Sequence, residues 1–278
     1  MTLGQTSWEG EIPRGGPEAP VARTLLSEAL DALARQPSLL KVDGERVVVV
    51  GDTHGDVGTS WAVVSRYLGQ GATLLFTGDY VDRGQFQIEN ILFLLKKANE
   101  FPGRLWLLRG NHETPDMNRW YGFTEAVARR YGLGFYENFL SVFSQLPVSA
   151  IINGAFLAIH GGIARSLRSV DQLAALPKGV SSPRGILSEI LWNDPDEAID
   201  GFAASPRGPG IFRYGFDVLS GFLEANHLRA MIRSHEPREA GAAMEMCGKL
   251  YTVFSCRYYG VTPGFLDIVG EEVALGNL

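Results

Sequence analysis

The sequence is short of thiols. Its 278 residues include two cysteines, Cys247 and Cys256, too few for a disulfide framework or a thiolate zinc cage. A reducing cytoplasm is the expected compartment. No apolar run reaches about 18 residues, so no membrane-spanning helix is expected. No basic segment followed by an apolar stretch opens the chain, so no signal peptide is expected. Cations are the minority, with 25 Lys+Arg against 31 Asp+Glu and a net charge of −6, which argues against a nucleic-acid or anionic-membrane binder. Lysine is rare beside arginine, five against twenty, which gives the composition a prokaryotic look. Histidine is also scarce, at five residues. No internal repeat of about 20–50 residues is present.

What is present suffices for a sizeable core: hydrophobic residues make up 45% of the chain. Residues 1–20, rich in Gly, Pro and Glu, read as a flexible N-terminal tail or loosely docked arm, and 21–278 as a single domain. Helical spacing runs over 21–36. Strands are expected at Arg46–Val50, Thr73–Phe76 and Arg104–Leu108, with helices over 57–68 and 86–99 between them. That alternation predicts an α/β fold with a mainly parallel sheet. Asn153-Gly154, between Val148–Ile152 and Phe156–Ile159, predicts a hairpin. Helices near 122–131 and 136–145 form an insertion. Strands at Ala230–Ile232, Leu250–Phe254 and Gly264–Val269 suggest a second, mixed or antiparallel sheet.

Five motifs each follow an expected strand: Gly51-Asp52-Thr53-His54-Gly55-Asp56, Gly78-Asp79-Tyr80-Val81-Asp82-Arg83-Gly84, Arg109-Gly110-Asn111-His112-Glu113, His160-Gly161-Gly162 and Arg233-Ser234-His235-Glu236. Ligands of open α/β sheets bind at the carboxyl ends of strands. There the loops would gather carboxylate, amide and imidazole groups, a set suited to Mn, Fe, Zn or similar divalent ions. Asp52 and His54 are two apart, so an extended backbone points both to one side. Asn111 and His112 are adjacent, so one can face a metal and the other a substrate.

In order and spelling the five motifs resemble the metallophosphoesterase superfamily, and more closely its PPP-type serine/threonine protein phosphatases. The resemblance covers about Arg46 to Val269 and includes GDYVDRG, LLRGNHE and LWNDP. It implies a calcineurin-like fold: two mixed β-sheets in a central sandwich flanked by helices, with a dimetal site at the strand ends. It implies two divalent ions, Mn²⁺ in vitro or Fe or Zn. Asp52, His54 and Asp79 would hold the first, and Asp79, Asn111, His160 and His235 the second. A hydroxide activated by the metals would attack phosphoserine or phosphothreonine in proteins. His112 would be the general acid, oriented by Asp82. Arg83, Arg207 and Arg109 would grip phosphate oxygens. The expected partners are phosphoprotein substrates, with no nucleic acid and no membrane, and the chain is expected to be a monomer.

Two departures stand out. Asp56 occupies a position where many members carry Gln, and 255–260 (SCRYYG) replaces the SAPNYCG of eukaryotic members. Either Tyr258 or Tyr259 supplies the active-site tyrosine. Other readings are plainer. His227 reads as a helix C-terminal residue, Trp192 as a packing residue, Arg129-Arg130 and Arg165/Arg168 as solvated faces, and both cysteines as inert. A dinucleoside polyphosphate hydrolase on the same scaffold is the rival function. A catalytically inactive phosphate-binding module is the remote one.

Overall fold

Four consecutive valines account for the centre of the fold. In the computed structural model, which describes residues 7–278, Arg46–Val50 forms a strand whose valines are all fully buried. β-Branched side chains suit a pleated surface buried on both faces. Alternation divides them: Val47 and Val49 face a second sheet, while Val48 and Val50 face a layer of helices.

The first sheet has the strand order 272–277, 264–269, 46–50, 73–76, 105–107. Its last three strands are parallel, joined through helices Val57–Tyr67 and Gln87–Glu100, as the alternation predicts. The second sheet is mixed, in the order 39–42, 149–152, 156–159, 230–233, 250–253, 242–245. Leu75, Leu266 and Ile268 meet Ile152, Phe156 and Ile232 between the two sheets. Helices Ala19–Ala34, Phe123–Tyr131 and Tyr136–Gln145 cover the outer face of the first sheet. Ile186–Trp192 and Phe216–Ala225 pack on the second. This is the helix-flanked two-sheet sandwich that the motifs imply.

The expected hairpin forms across Asn153 and Gly154, both at positive φ. Other elements differ from the sequence reading. Gly264–Val269 joins the first sheet, antiparallel to 46–50, rather than the second. Its apolar pattern fixes which face is buried but not which strand lies beside it. Leu39–Val42, 242–245, 272–277 and the small sheet of 194–195, 212–214 and 202–204 were not expected. Most are short, and 272–277, though six residues long, is largely exposed, so their periodicity is weak. His227 lies just past the helix ending at Ala225, with φ 55° and its N–H donating to the Glu224 carbonyl at 3.2 Å.

The expected flexible tail, 1–20, falls partly outside the described residues. From Ser7 onward it is docked rather than loose. Ile12 is buried in the helical core, and Trp8 packs on Phe86 with ring centres 5.2 Å apart. Lys96 and Lys97 bind the Glu11 carboxylate at 2.8 and 2.9 Å. Arg130 donates to the carbonyls of Gly15, Gly16 and Pro17. Composition marked this stretch as irregular, and irregular backbone can be immobile when its polar groups are paired.

The two sheets pinch together where strand 46–50 ends. Asp52 bridges Phe254 in parallel fashion, and the Gly51 N–H donates to Ser255 Oγ at 2.9 Å. A Cβ on Gly51 would lie 2.1 Å from the Val253 carbonyl oxygen. Gly51→Ala should therefore cost about 3 kcal/mol of stability in a urea unfolding titration, because backbone rather than a flexible side chain must yield. A loss below about 0.5 kcal/mol would show that the two sheets part easily there.

Candidate active site

All five motifs leave carboxyl ends of strands, and the two sheets bring those ends to one place. Asp52 and His54 follow 46–50, Asp79 and Asp82 follow 73–76, and Asn111 and His112 follow 105–107. His160 and His235 follow the parallel strands 156–159 and 230–233 of the second sheet. The turns are tight enough to force left-handed backbone onto ordinary residues. His54 (φ 41°), Asp79 (57°), Asp82 (67°), Arg83 (67°) and His235 (69°) all adopt it. Such residues cost about 1–3 kcal/mol each and persist only where surrounding contacts over-determine them.

Those contacts are explicit. Glu113 is fully buried and accepts the N–H groups of Asp79, Tyr80 and Gly110 at 2.8–2.9 Å, tying the third motif to the second. The motif alone does not disclose this role of Glu113 as a backbone clamp, because its partners lie in another loop. The amides of Thr53 and His54 both donate to the Asp79 carbonyl.

Asp79 is the centre of the donor set. Its Oδ2 lies 3.6 Å from His54 Nε2, which is 3.8 Å from Asp52 Oδ2. Its Oδ1 lies 3.4 Å from His160 Nε2, which in turn sits 2.9 Å from Asn111 Oδ1 and 3.2 Å from His235 Nδ1. The other nitrogens of two imidazoles are held by carbonyls: His54 Nδ1 on Val81 O at 2.9 Å and His160 Nδ1 on Thr77 O at 3.0 Å. That places the ring hydrogens outward and leaves both Nε2 lone pairs facing Asp79. All six expected ligands are thus buried and convergent.

The electrostatics call for cations. Burial pushes the Asp52 carboxyl up to about 7, and Asp79 further above the carboxylate range, with Asp52 and Glu113 adding repulsion. Burial first, and the crowding of neighbouring imidazoles and arginines second, hold His54, His160 and His235 well below the usual imidazole range, so they are neutral. Buried Asp52 Oδ2 and His235 Nε2 have no hydrogen-bond partner among the described residues. Orphaned acceptors on neutral imidazole and carboxylate are what a divalent ion would satisfy, so the residues fit the implied metals.

Beside this set, His112 Nδ1 is 2.8 Å from Asp82 Oδ2, and Asp82 is held by Asn118 Nδ2 and the Phe123 N–H. Met117, Tyr121, Trp192, Phe254 and Tyr259, with Arg83 and Arg207, complete a cavity of about 170 Å³. Larger grooves lie elsewhere, one against the N-terminal arm, but none of them gathers this chemistry.

The three expected phosphate-gripping arginines separate. Arg83 is exposed, with its guanidinium 4.1 Å from the Tyr121 ring centre and 5.6 Å from that of Tyr259. Arg207 also faces the cavity, but its Nε is committed to Asp194 at 2.5 Å. Arg109 does not reach it. It is buried, and it donates to the carbonyls of Glu113, Val180 and Ser181, bracing the loop from below. A five-donor fork satisfies several buried carbonyls at once, which sequence proximity to Asn111 could not reveal. Tyr259 lies within the site, stacked on His54 at 5.4 Å, whereas Tyr258 points outward. Trp192 packs in the second core as expected, yet it also lines the cavity, its ring edge-on to His235. Tyr121 and Met117 were not foreseen, because their helix, Pro115–Tyr121, carries no motif.

The profile of the calcineurin-like phosphoesterases matches residues 45–239, most of the chain and all five motifs. The chain belongs to this family. Divalent metals are therefore implied for the calcineurin-like phosphoesterase described above. Its sequence is 35% identical over 260 residues to serine/threonine-protein phosphatase T of Trypanosoma brucei brucei, covering 90% of this chain and 53% of that one. It is 33% identical over 255 residues to a probable serine/threonine-protein phosphatase of Encephalitozoon cuniculi, covering 87% of this chain and 55% of that one. The chain thus spans about half the length of these curated relatives. Its fold matches a protein serine/threonine phosphatase of Saccharomyces cerevisiae with a TM-score of 0.86 and 30% identity, over 93% of this chain and 90% of that one. These relatives are eukaryotic, so they lend no support to the prokaryotic look of the composition.

Arg109→Met should lower stability by about 2–4 kcal/mol, through unpaired buried carbonyls, and leave KM unchanged. Arg83→Ala should do the reverse, raising KM at constant stability. Steady-state kinetics paired with urea titration separates the two, and a KM rise in the Arg109 variant would return it to the site. A second outcome follows from the carboxylates. Asp52 holds its proton in the fold up to about 7 against 3.8 in the open chain, so its burial weakens the metal-free fold as pH rises between those values. Asp79 shifts in the same direction. At pH 7.5, Asp79→Asn should raise the melting midpoint of chelated protein and abolish the further rise produced by Mn²⁺. A full Mn²⁺-dependent rise in that variant would remove Asp79 from the donor set.

Proposed function

We propose that this chain hydrolyses phosphoserine and phosphothreonine monoesters in proteins. The observation that carries this reading is the His112–Asp82 pair, set beside a convergent six-residue donor set and flanked by Arg83 and Arg207 in one cavity. Two divalent ions at Asp52, His54, Asp79, Asn111, His160 and His235 would supply Lewis acidity and lower the pKa of an attacking water. Mn²⁺ is the ion of choice for assay, with Fe or Zn as alternatives.

The chain's own groups divide the remaining work. Arg83 and Arg207 hold phosphoryl oxygens, Arg83 with the freer guanidinium. His112 Nε2 gives a proton to the leaving seryl or threonyl oxygen, which is a poor leaving group as an alkoxide. Burial, and then Arg83 and Arg207, hold the His112 imidazole down at about 3. A phosphate dianion between those arginines cancels their repulsion, and Asp82 on Nδ1 supports the imidazolium. Substrate binding therefore raises the affinity of His112 for the proton it must donate. The small cavity takes the phosphoryl group, and its open aromatic rim takes the adjoining polypeptide. The reading takes the chain as a cytoplasmic monomer.

Hydrolysis of phosphoserine and phosphothreonine peptides by the Mn²⁺-loaded protein, in preference to phosphotyrosine peptides and diadenosine tetraphosphate, tests the reading. Preferential cleavage of the dinucleotide would establish the rival hydrolase. No turnover of any substrate with metals bound would leave only a binding module. His112→Asn should keep its metal content by elemental analysis and lose about 10²-fold or more in turnover. Wild-type turnover in that variant would end the acid role of His112.

A further inference from the structure

Helix 57–67 starts at an aspartate that does more than cap it. Asp56 is fully buried, and its carboxylate accepts the Thr59 N–H at 3.1 Å and the Thr59 hydroxyl at 2.8 Å, as an N-cap does. Three more bonds arrive from one residue 201 positions away. The Arg257 N–H, Nε and Nη2 donate at 3.0, 2.9 and 2.5 Å. This is one of the two places where the sequence departs from the resemblance, and Arg257 lies in the other. The departures are therefore a matched pair.

Arg257 opens the short turn 257–259, which Gly260 closes at φ 71°. Upstream, Ser255 is fixed by the Gly51 N–H and by its own bond to the Gly264 carbonyl. Among the described residues, Arg257 makes the only hydrogen bonds that join 256–262 to the body of the protein. Tyr259, two residues on, stacks on His54, meets Phe254 edge-on at 4.9 Å and lies beneath the Arg83 guanidinium. Tyr121 holds the other side of Arg83. Arg83 has no ion-pair partner within the described residues, so these two rings are the side chains that define where its charge sits.

We propose that Asp56 and Arg257 form a latch that positions Tyr259, and through it Arg83, and so sets how tightly the site holds a phosphoryl group. Both are positioning residues; neither touches substrate. The proposal rests on reading the cavity as a phosphoester site.

The test uses Mn²⁺-loaded protein, para-nitrophenyl phosphate as substrate and inorganic phosphate as competitive inhibitor. Arg257→Ala leaves the helix cap on Thr59 intact. It should raise both KM and the inhibition constant of phosphate about fivefold, with kcat within about twofold of wild type. Tyr259→Leu, which removes the ring itself, should raise KM and the inhibition constant at least as far, and the double variant should be no worse than Tyr259→Leu alone. Additive losses, or a lowered melting midpoint with unchanged KM, would overturn the latch and leave Arg257 a stabilising residue. Hydrogen exchange reads the latch without activity. Amides over 256–262 should exchange faster in Arg257→Ala, while strands 46–50 and 250–253 keep their protection. If no phosphoester is hydrolysed, the proposed function fails and exchange alone decides: unchanged rates over 256–262 refute the latch.

Discussion

One buried carboxylate sets the terms for this structure. Asp79 sits at the end of a central strand with Asp52 and Glu113 close by, out of reach of water. Such a cluster is tolerable only if donors or cations meet it. Glu113 is met by three backbone N–H groups, and Asp79 Oδ1 by the His112 N–H at 2.9 Å. The facing atoms are lone pairs of His54 and His160, which cannot relieve the charge. Left-handed turns, the glycine at the pinch of the sheets and the braced third motif all serve to hold these atoms in an arrangement that is costly without metal. The fold is stable at this point in proportion to what it binds.

Much of that was legible in the sequence, because the motifs are short and their backbone requirements strict. A strand of valines ending in Gly51-Asp52 can hardly be anything but a buried strand with its ligand at the carboxyl end. That the motif side chains converge was likewise readable, since each lies within a few positions of a strand end, whereas the pairing of His112 with Asp82 came only from the resemblance. Illegible were the relations that cross the sandwich. Nothing local places Gly264–Val269 beside 46–50, and nothing near Tyr258 and Tyr259 tells which faces inward. That choice is made by Arg257 gripping Asp56 across 201 residues.

The arginines show the same limit. Arg83, Arg207 and Arg109 all sit in or near motifs, and charge alone gives them one role. Their partners separate them: aromatic rings for Arg83, a carboxylate for Arg207 and backbone carbonyls for Arg109. An arginine surrounded by carbonyls is part of the scaffold, and one facing rings and open cavity has donors left for a ligand. The acidic net charge of the chain therefore says little about the sign of the field at the cavity mouth.

The bridge between Asp52 and the His235 N–H spans 183 residues. Asp52, His54, Asp79 and Asn111 follow strands of the first sheet and His160 and His235 strands of the second, and the final strand of the first sheet comes after the last of these residues in the chain. No early fragment of the folding chain can hold both groups. The site is therefore a late product of a high-contact-order topology, and loop closure must be complete before the ligands meet. Capture of a second ion at His160 and His235 would therefore report that folding has finished.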